Sequence, residues 1–452
     1  MIRNTLYAAA VIAVSVFYFS SFYPGYLTAD SVYILNMVSG LDPVSNWHPN
    51  FYVWLNKSLL ALLQHVPGLW LAQTAALLAS AVFASHRLRY LHVVAFLAIT
   101  LLPPVAANMA ALWKDDWAVI ATLASLSAAI RQRENIASGR TEGPGGRITS
   151  VIPGAASIVF AALASLIRLD YIVIVLPVVA AASWWMAETL TERSLSFSGR
   201  AAMSVLGFLT LAVLAFAIRA VAHVNVESQQ NSWVTILAWD IAGVAARSDH
   251  PVSMYHTPVP ASGIKAAYNC RTSDPLVFGT APLPMNQPDR EQKIPADMEA
   301  HEYVTAWLDA VRSQPMSYLE HRACVLTEYL GLGDAPHYPF PFGVVPNRLG
   351  VSFERTPANI ALYFIYYPIA DSVMFRPWFW LLIVTLASGY IAASGAPSLA
   401  FPLLFSALAS AARGLVVPAA DVRYALWIFV AAVYAAMIAL DLAMARRGTA
   451  GS

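Results

Sequence analysis

Long apolar runs punctuate this chain, and nothing constrains its fold more. A run of about 16–22 apolar residues, wound as a helix, matches the hydrocarbon thickness of a bilayer. Such runs fall at 5–22, 67–85, 91–110, 117–131, 151–167, 171–187, 201–222, 377–394, 397–417 and 424–444. With 58% hydrophobic residues, 12% charged residues and a mean hydropathy of +0.57, the composition is that of a polytopic membrane protein. A net charge of +1 offers no basic field to a nucleic acid. Two cysteines are too few for a cysteine-built metal site. The first run ends in the bulky Phe22-Tyr23-Pro24 with no small-residue cleavage signal, so it reads as an uncleaved signal anchor.

A further run, about 50–64, is short for a span. Asn50, Lys57 and Gln64 recur at seven-residue spacing, opposite Phe51, Trp54, Leu55, Leu59, Leu62 and Leu63. One polar stripe on an otherwise apolar helix suits a helix lying in the interface. The positive-inside rule agrees. With 50–64 flat, the inner loops carry Arg87 and Arg89, then Arg133, Arg140 and Arg147, then Arg193 and Arg200, and finally Arg446 and Arg447. The expectation is an all-α polytopic protein of ten spans with both termini cytoplasmic. It has three regions: an N-terminal membrane module (1–222), a large outer loop segment (223–376) and C-terminal spans (377–452).

The outer face then collects the unusual residues. A first loop holds Asp30, Asp42 and Trp47-His48-Pro49; a second is Trp113-Lys114-Asp115-Asp116-Trp117. Arg168-Leu169-Asp170 and Asp421-Val422-Arg423 follow, with Arg413 near a helix end. Each has an ordinary reading: Asp30 as a helix cap, the second loop as a polar turn, the arginines as local ion pairs or snorkelling cations. Charges at membrane depth are costly and normally face a cavity or a partner. Several acids and arginines on one face suit a particular chemistry. Guanidinium forks match phosphate oxygens, and a carboxylate can deprotonate a nucleophile.

The order Tyr23-Pro24-Gly25…Asp30-Ser31, Trp47-His48-Pro49, Trp113-Lys114-Asp115 and Arg423-Tyr424 resembles bacterial members of the GT-C superfamily of glycosyltransferases. The resemblance covers residues 1 to about 222 well and the C-terminal spans loosely. It implies a GT-C-like bundle of about ten transmembrane helices with interfacial helices, in the inner membrane, with the site on the periplasmic side. It implies a sugar donor carried on polyprenyl phosphate and a lipid, glycan or protein acceptor. Asp30 would be the general base and Asp115 or Asp116 a second acid. His48, Lys114, Arg168, Arg413, Arg423 and Arg322 would bind substrate. No cofactor is required, although Asp30, Asp115 and Asp116 could hold Mg²⁺ or Mn²⁺. Related sequences often show Arg-His-Asn or Arg-x-Asn where this chain has Arg168-Leu169-Asp170, which leaves Arg168 either binding phosphate or pairing with Asp170. An oligosaccharide polymerase or ligase of similar architecture, or a transporter or flippase of lipid-linked substrates, are the alternatives.

In the outer segment, Pro251, Pro258, Pro260, Pro275, Pro282, Pro284, Pro288 and Pro295 predict irregular chain. Ala296–Arg312 and Met316–Leu330 read as amphipathic helices split by Pro315. His337, Tyr338 and Phe340 read either as a sugar-stacking surface or as packing. The run 356–375, broken by Pro368 and Asp371, reads as a second interfacial helix. Cys270 and Cys324 both fall in this segment. On an oxidising side they predict a disulfide, which would stabilise the segment by roughly 3–4 kcal/mol; two unpaired thiols are the other outcome.

Overall fold

Each apolar run is wound into helix, the arrangement that lets a chain satisfy its own backbone donors and acceptors in hydrocarbon. The computed structural model describes residues 2–138, 143–191, 195–222, 224–228, 232–248, 252–254, 257–259, 261–277, 297–333, 336 and 338–450. His337, Arg140, Arg193 and Pro251, Pro260, Pro282, Pro284, Pro288 and Pro295 lie outside them. The first part runs α1 (Ile2–Phe22), α2 (Ala29–Val38), α3 (Asn50–Leu63), α4 (Val66–Ser85), α5 (His92–Leu101), α6 (Pro103–Met109), α7 (Lys114–Ala137), α8 (Gly143–Ile167), α9 (Ile172–Thr191) and α10 (Phe197–Val221). The outer segment contributes α11 (Val234–Arg247), a hairpin of β1 (Val252–Met254) and β2 (Thr257–Val259), α12 (Ala261–Ala267), α13 (Asp274–Val277), α14 (Asp297–Ser313), α15 (Pro315–Tyr329) and α16 (Pro357–Ile369). Then come α17 (Pro377–Ala393), α18 (Pro397–Ala412) and α19 (Leu426–Ala450). Pro103, Pro315, Pro357, Pro377 and Pro397 each open a helix, where the missing N–H costs nothing.

Seven helices among the described residues are long and apolar enough to cross a membrane: Asn4–Phe22, Val66–Ser85, Thr149–Ile167, Leu169–Thr191, Phe197–Val221, Pro397–Leu415 and Val422–Arg447. The protein is membrane-embedded. The other three runs are helical with a difference. The run 91–110 is α5 and α6, bent by 58° at Pro103, and counts as an eighth span if the pair is one. The run 117–131 lies inside α7, which carries charges near both ends. The run 377–394 is α17, only 17 residues long. At 14 residues α3 is too short to cross, and it ends in a left-handed residue, Gln64.

Two helices fill the centre. In α7 every residue from Ala118 to Ile130 is buried, and around the start of α19 every residue from Tyr424 to Ala435 is buried. Helices apolar on all sides belong inside a bundle. The periphery includes α10, which meets α9 where Gly207 lies directly against Ser183. At one end of the bundle Tyr7 Oη lies 2.7 Å from Ser85 Oγ, the Tyr90 N–H donates to Asp441 (2.7 Å), and Arg446 donates to the Ser394 carbonyl (2.6 Å). Arg87, Arg131 and Glu134 also meet there. The ends of α1, α6, α8 and α18 and the starts of α7, α9 and α19 gather at the opposite end.

The outer segment is less irregular than its prolines suggest. Where loop was expected before Pro251, α11 buries Ala238, Trp239, Ile241, Ala242 and Ala245. Its apolar stretch is too short for a span, and the proline-rich chain that follows masks it in the sequence. The expected pair of amphipathic helices is present as α14 and α15, with Pro315 opening the second. The 356–375 run gives α16 and a short 3₁₀ turn; Thr356 and Asn359 donate to the Ser20 and Ser21 carbonyls at the end of α1. The predicted disulfide Cys270–Cys324 is formed. Beside it, Ala420 N–H donates to the Arg271 carbonyl (2.6 Å) and Ser273 N–H to the Pro418 carbonyl (3.2 Å). The segment is thereby paired to the chain just before Asp421.

Candidate functional site

Backbone pairing builds the site. The turn after α1 uses Gly25 at φ +98°, a left-handed value, pressed against the Trp70 ring where no Cβ fits. Tyr26 N–H then donates to the Ala110 carbonyl (2.8 Å), and Leu112 N–H donates back to the Tyr26 carbonyl (3.1 Å). On the other side Val345 N–H donates to the Leu27 carbonyl (2.9 Å). The first loop, the second loop and the far end of the outer segment are thus laid side by side. Thr28 caps α2 in a capping box with Ser31, and Trp113 Nε1 donates to the Thr28 hydroxyl (2.8 Å). Asp30, in the first turn of α2, and Lys114, at the start of α7, come to face one another.

Arg423 closes this half. It donates from NH1 to Asp30 (2.7 Å), from Nε to Asp421 (3.1 Å) and from NH2 to Tyr424 Oη (3.3 Å). Its guanidinium lies 4.8 Å over the Trp113 ring. The Asp30 side chain remains 41% exposed, so the pair lies at a rim. Burial opposes charge on Asp30, but Arg423, with Lys114 behind it, outweighs that and holds the carboxyl well below the usual carboxylate range. His48 is buried, and Lys114 Nζ donates to its Nδ1 (3.1 Å). Burial and the Lys114 cation push the His48 ring down to about 3, so it stands neutral.

A second half lies behind. Arg168 NH1 pairs with Asp115, and its Nε donates to Asp170 (2.8 Å). Arg413, 2% exposed, pairs with Asp170 (2.9 Å) and lies 4.0 Å from Asp115. Pairing with Asp170, one of the two roles left open for Arg168, is present here. One ring joins the halves: the guanidinium carbons of Arg168, Arg423 and Arg413 lie 4.4, 5.0 and 5.7 Å from the centre of Tyr424. Lys114, Arg168, Arg413 and Arg423 are thereby matched against Asp30, Asp115, Asp170 and Asp421.

Two expected members sit elsewhere or do other work. Asp116 is fully buried and turned away; one oxygen accepts from Gln73 Nε2 (3.3 Å), which also donates to the Ala111 carbonyl (2.7 Å). It braces the turn before α7. Arg322 pairs with Asp240 (2.6 Å) and donates to the Val417 carbonyl (3.2 Å), tying α15 to α11 and to the chain before α19. The carboxylates expected to share a cation are separately engaged, Asp30 and Asp115 with arginines and Asp116 with Gln73. Among the described residues no three of His, Cys, Asp and Glu form a group suited to a metal.

Sequence reasoning missed Asp240 and the central place of Tyr424. Asp240 accepts from Trp307 Nε1 (2.8 Å) and faces His321 Nε2 at 3.0 Å; the other ring nitrogen of His321 lies 2.7 Å from Tyr268 Oη. A lone acid in the apolar stretch Trp239–Ala246 was the available signal.

Beneath the charged cluster an apolar groove of about 520 Å³ runs between α3, α4, α7 and α8, past Phe51, Leu55, Phe83, Trp117, Ala121 and Phe160. Ile167 lines its upper end and immediately precedes Arg168. A much smaller cavity, about 10 Å³, lies among Asp30, His48, Lys114, Asp115 and Arg423. Cations at the mouth of an apolar groove can hold an anionic headgroup with its chain in hydrocarbon. Neither a family model, nor a curated protein, nor a solved structure matches this chain.

Proposed function

We propose that this protein is an integral-membrane glycosyltransferase. It moves a sugar from a polyprenyl-phosphate carrier to a lipid, glycan or protein acceptor. One observation carries the reading: a rim carboxylate, Asp30, lines a small cavity with Arg423 and Lys114, at the end of the bundle where an apolar groove reaches Ile167, next to Arg168. Asp30 accepts the proton of an acceptor hydroxyl while that oxygen attacks the anomeric carbon. The bond from the sugar to the phosphate oxygen breaks, and the electron pair leaves on the phosphate. Arg423, Arg168 and Arg413 compensate the charge that develops there. In this reading α5–α6, α7 and α17 cross beside the seven apolar helices, giving ten spans, and this end faces the periplasmic side of a bacterial inner membrane. The arginine-rich opposite end then faces the cytoplasm, as the positive-inside rule requires. Charges gathered at one end, rather than at mid-depth, favour transfer over transport.

The test compares cell-envelope glycans by mass spectrometry. The strains are the parent, a deletion, and the deletion carrying wild-type or Asp30→Asn protein at equal membrane level. The expected result is one sugar mass lost in the deletion, restored by wild type and not by Asp30→Asn. Full restoration by Asp30→Asn removes Asp30 as the base, and an unchanged glycan profile in the deletion removes envelope glycosyl transfer.

A further inference from the structure

Asp30 cannot act well as a base in the arrangement described. Its carboxylate is held at 2.7 Å by NH1 of Arg423, and a salt-bridged carboxylate has little appetite for a proton. The geometry around Arg423 indicates how that contact is relieved. Asp421 holds the Nε edge (3.1 Å) and the Trp113 ring covers a face (4.8 Å), so the guanidinium is anchored independently of Asp30. What remains is the NH1–NH2 edge, the fork that takes two oxygens of a phosphate. Asp30 occupies NH1 on that edge, and Tyr424 Oη lies 3.3 Å from NH2.

We infer that Arg423 is a clasp for which Asp30 and the substrate phosphate compete, so that a phosphate-bearing lipid, by binding, frees Asp30 to act as base. The inference rests on the glycosyl-transfer reading and adds an order to it, donor before acceptor. Without donor, Asp30 is masked and the site is charge-balanced. With donor, the phosphate takes the NH1–NH2 edge, and its negative charge adds to the proton affinity of the released carboxylate. The other groups facing Asp30 are Lys114 from α7, His48 from the chain before α3, Tyr338 from the outer segment, and Asp115. Lys114 is engaged with His48 (3.1 Å), so the change at Asp30 follows Arg423.

The test labels carboxyls with a carbodiimide, which reacts with the protonated form, on full-length protein in nanodiscs. Peptide mass spectrometry reads the pH midpoint of labelling at Asp30, with Asp42, paired to Arg348 elsewhere, as internal reference. Polyprenyl monophosphate is expected to raise the Asp30 midpoint by at least about one pH unit, a tenfold change in protonation at fixed pH. Polyprenol, lacking the phosphate, is expected to leave it in place. Arg423→Gln is expected to raise the midpoint without lipid and to abolish the response. Intact-complex mass spectrometry on the same samples separates the failures. Lipid bound with the midpoint unmoved overturns the clasp and leaves a phosphate-lipid enzyme. No lipid bound overturns both. An equal shift with inorganic phosphate alone overturns the lipid as its carrier, and a low midpoint persisting in Arg423→Gln overturns the clasp outright.

Discussion

His48 stands neutral in the fold because it is buried against the Lys114 ammonium, and His321 is likewise held below its ordinary range, first by burial. An unfolded chain takes up a proton on the His48 ring as pH falls through about 6.5, while the folded ring, held at about 3, does not. Stability therefore falls as pH drops from neutrality toward 5, by up to about 1.4 kcal/mol per pH unit from His48, and His321 acts in the same direction. Melting curves in detergent between pH 7.5 and 5 should show that slope, and His48→Gln, which can still accept from Lys114, should flatten it. Neighbouring acids should part company. Asp115→Ala leaves Arg168 buried with half its partners and is expected to destabilise by about 3–5 kcal/mol. Asp116→Asn keeps an acceptor for Gln73 and is expected to stay within about 1 kcal/mol of wild type. The sequence could not separate these two. Adjacent residues on a helix point about 100° apart, and only the packing of α7 decides which meets the arginines. Asp30, His48, Lys114, Arg168, Arg413 and Arg423 were legible because each is a polar residue at the edge of an apolar run. The pairing of Arg322 with Asp240 was not, because 82 residues of outer segment separate the partners.

At the scale of elements, hydrophobic length located each of the seven long apolar helices among the described residues but not the shape of the runs between them. Pro103 bends one run into α5 and α6, and the charges on α7 are tolerated because they lie near its ends. The helix α11 was hidden by its proline-rich surroundings, although its buried face is what α14 and α15 pack upon. Cys270–Cys324 fixes α15 next to the chain that pairs with Pro418 and Ala420. Replacing both cysteines by serine is expected to cost about 4 kcal/mol on the chain-entropy model. It should also loosen the strand-like contact before Asp421, seen as faster amide hydrogen exchange at 418–424 than in α7. The groove between α3, α4, α7 and α8 makes a separate claim. Ala121→Trp fills it without touching the charged cluster, and a rise of about tenfold in the KM for lipid-linked donor, with kcat little changed, is the expected result for lost uniform binding.

Across the whole molecule, charge is sorted by end. Arginines with few acids mark one end, and a matched set of arginines and aspartates marks the other. A fluorescent reporter that matures only in the cytoplasm should glow when fused after Arg447 and stay dark when inserted in the 278–296 stretch; the reverse pattern would invert the orientation. The pairing at the site also has a timetable. Asp30 meets a cation 393 residues further along the chain, and the helix that fills the centre of the bundle, α19, follows every other membrane helix in the sequence. As the chain emerges from the ribosome, Asp30, Asp115 and Asp170 therefore enter the membrane surface long before Arg413 and Arg423 exist. The bundle is inserted before its centre is filled, and the helix that fills it arrives directly behind Arg423, the countercharge of Asp30.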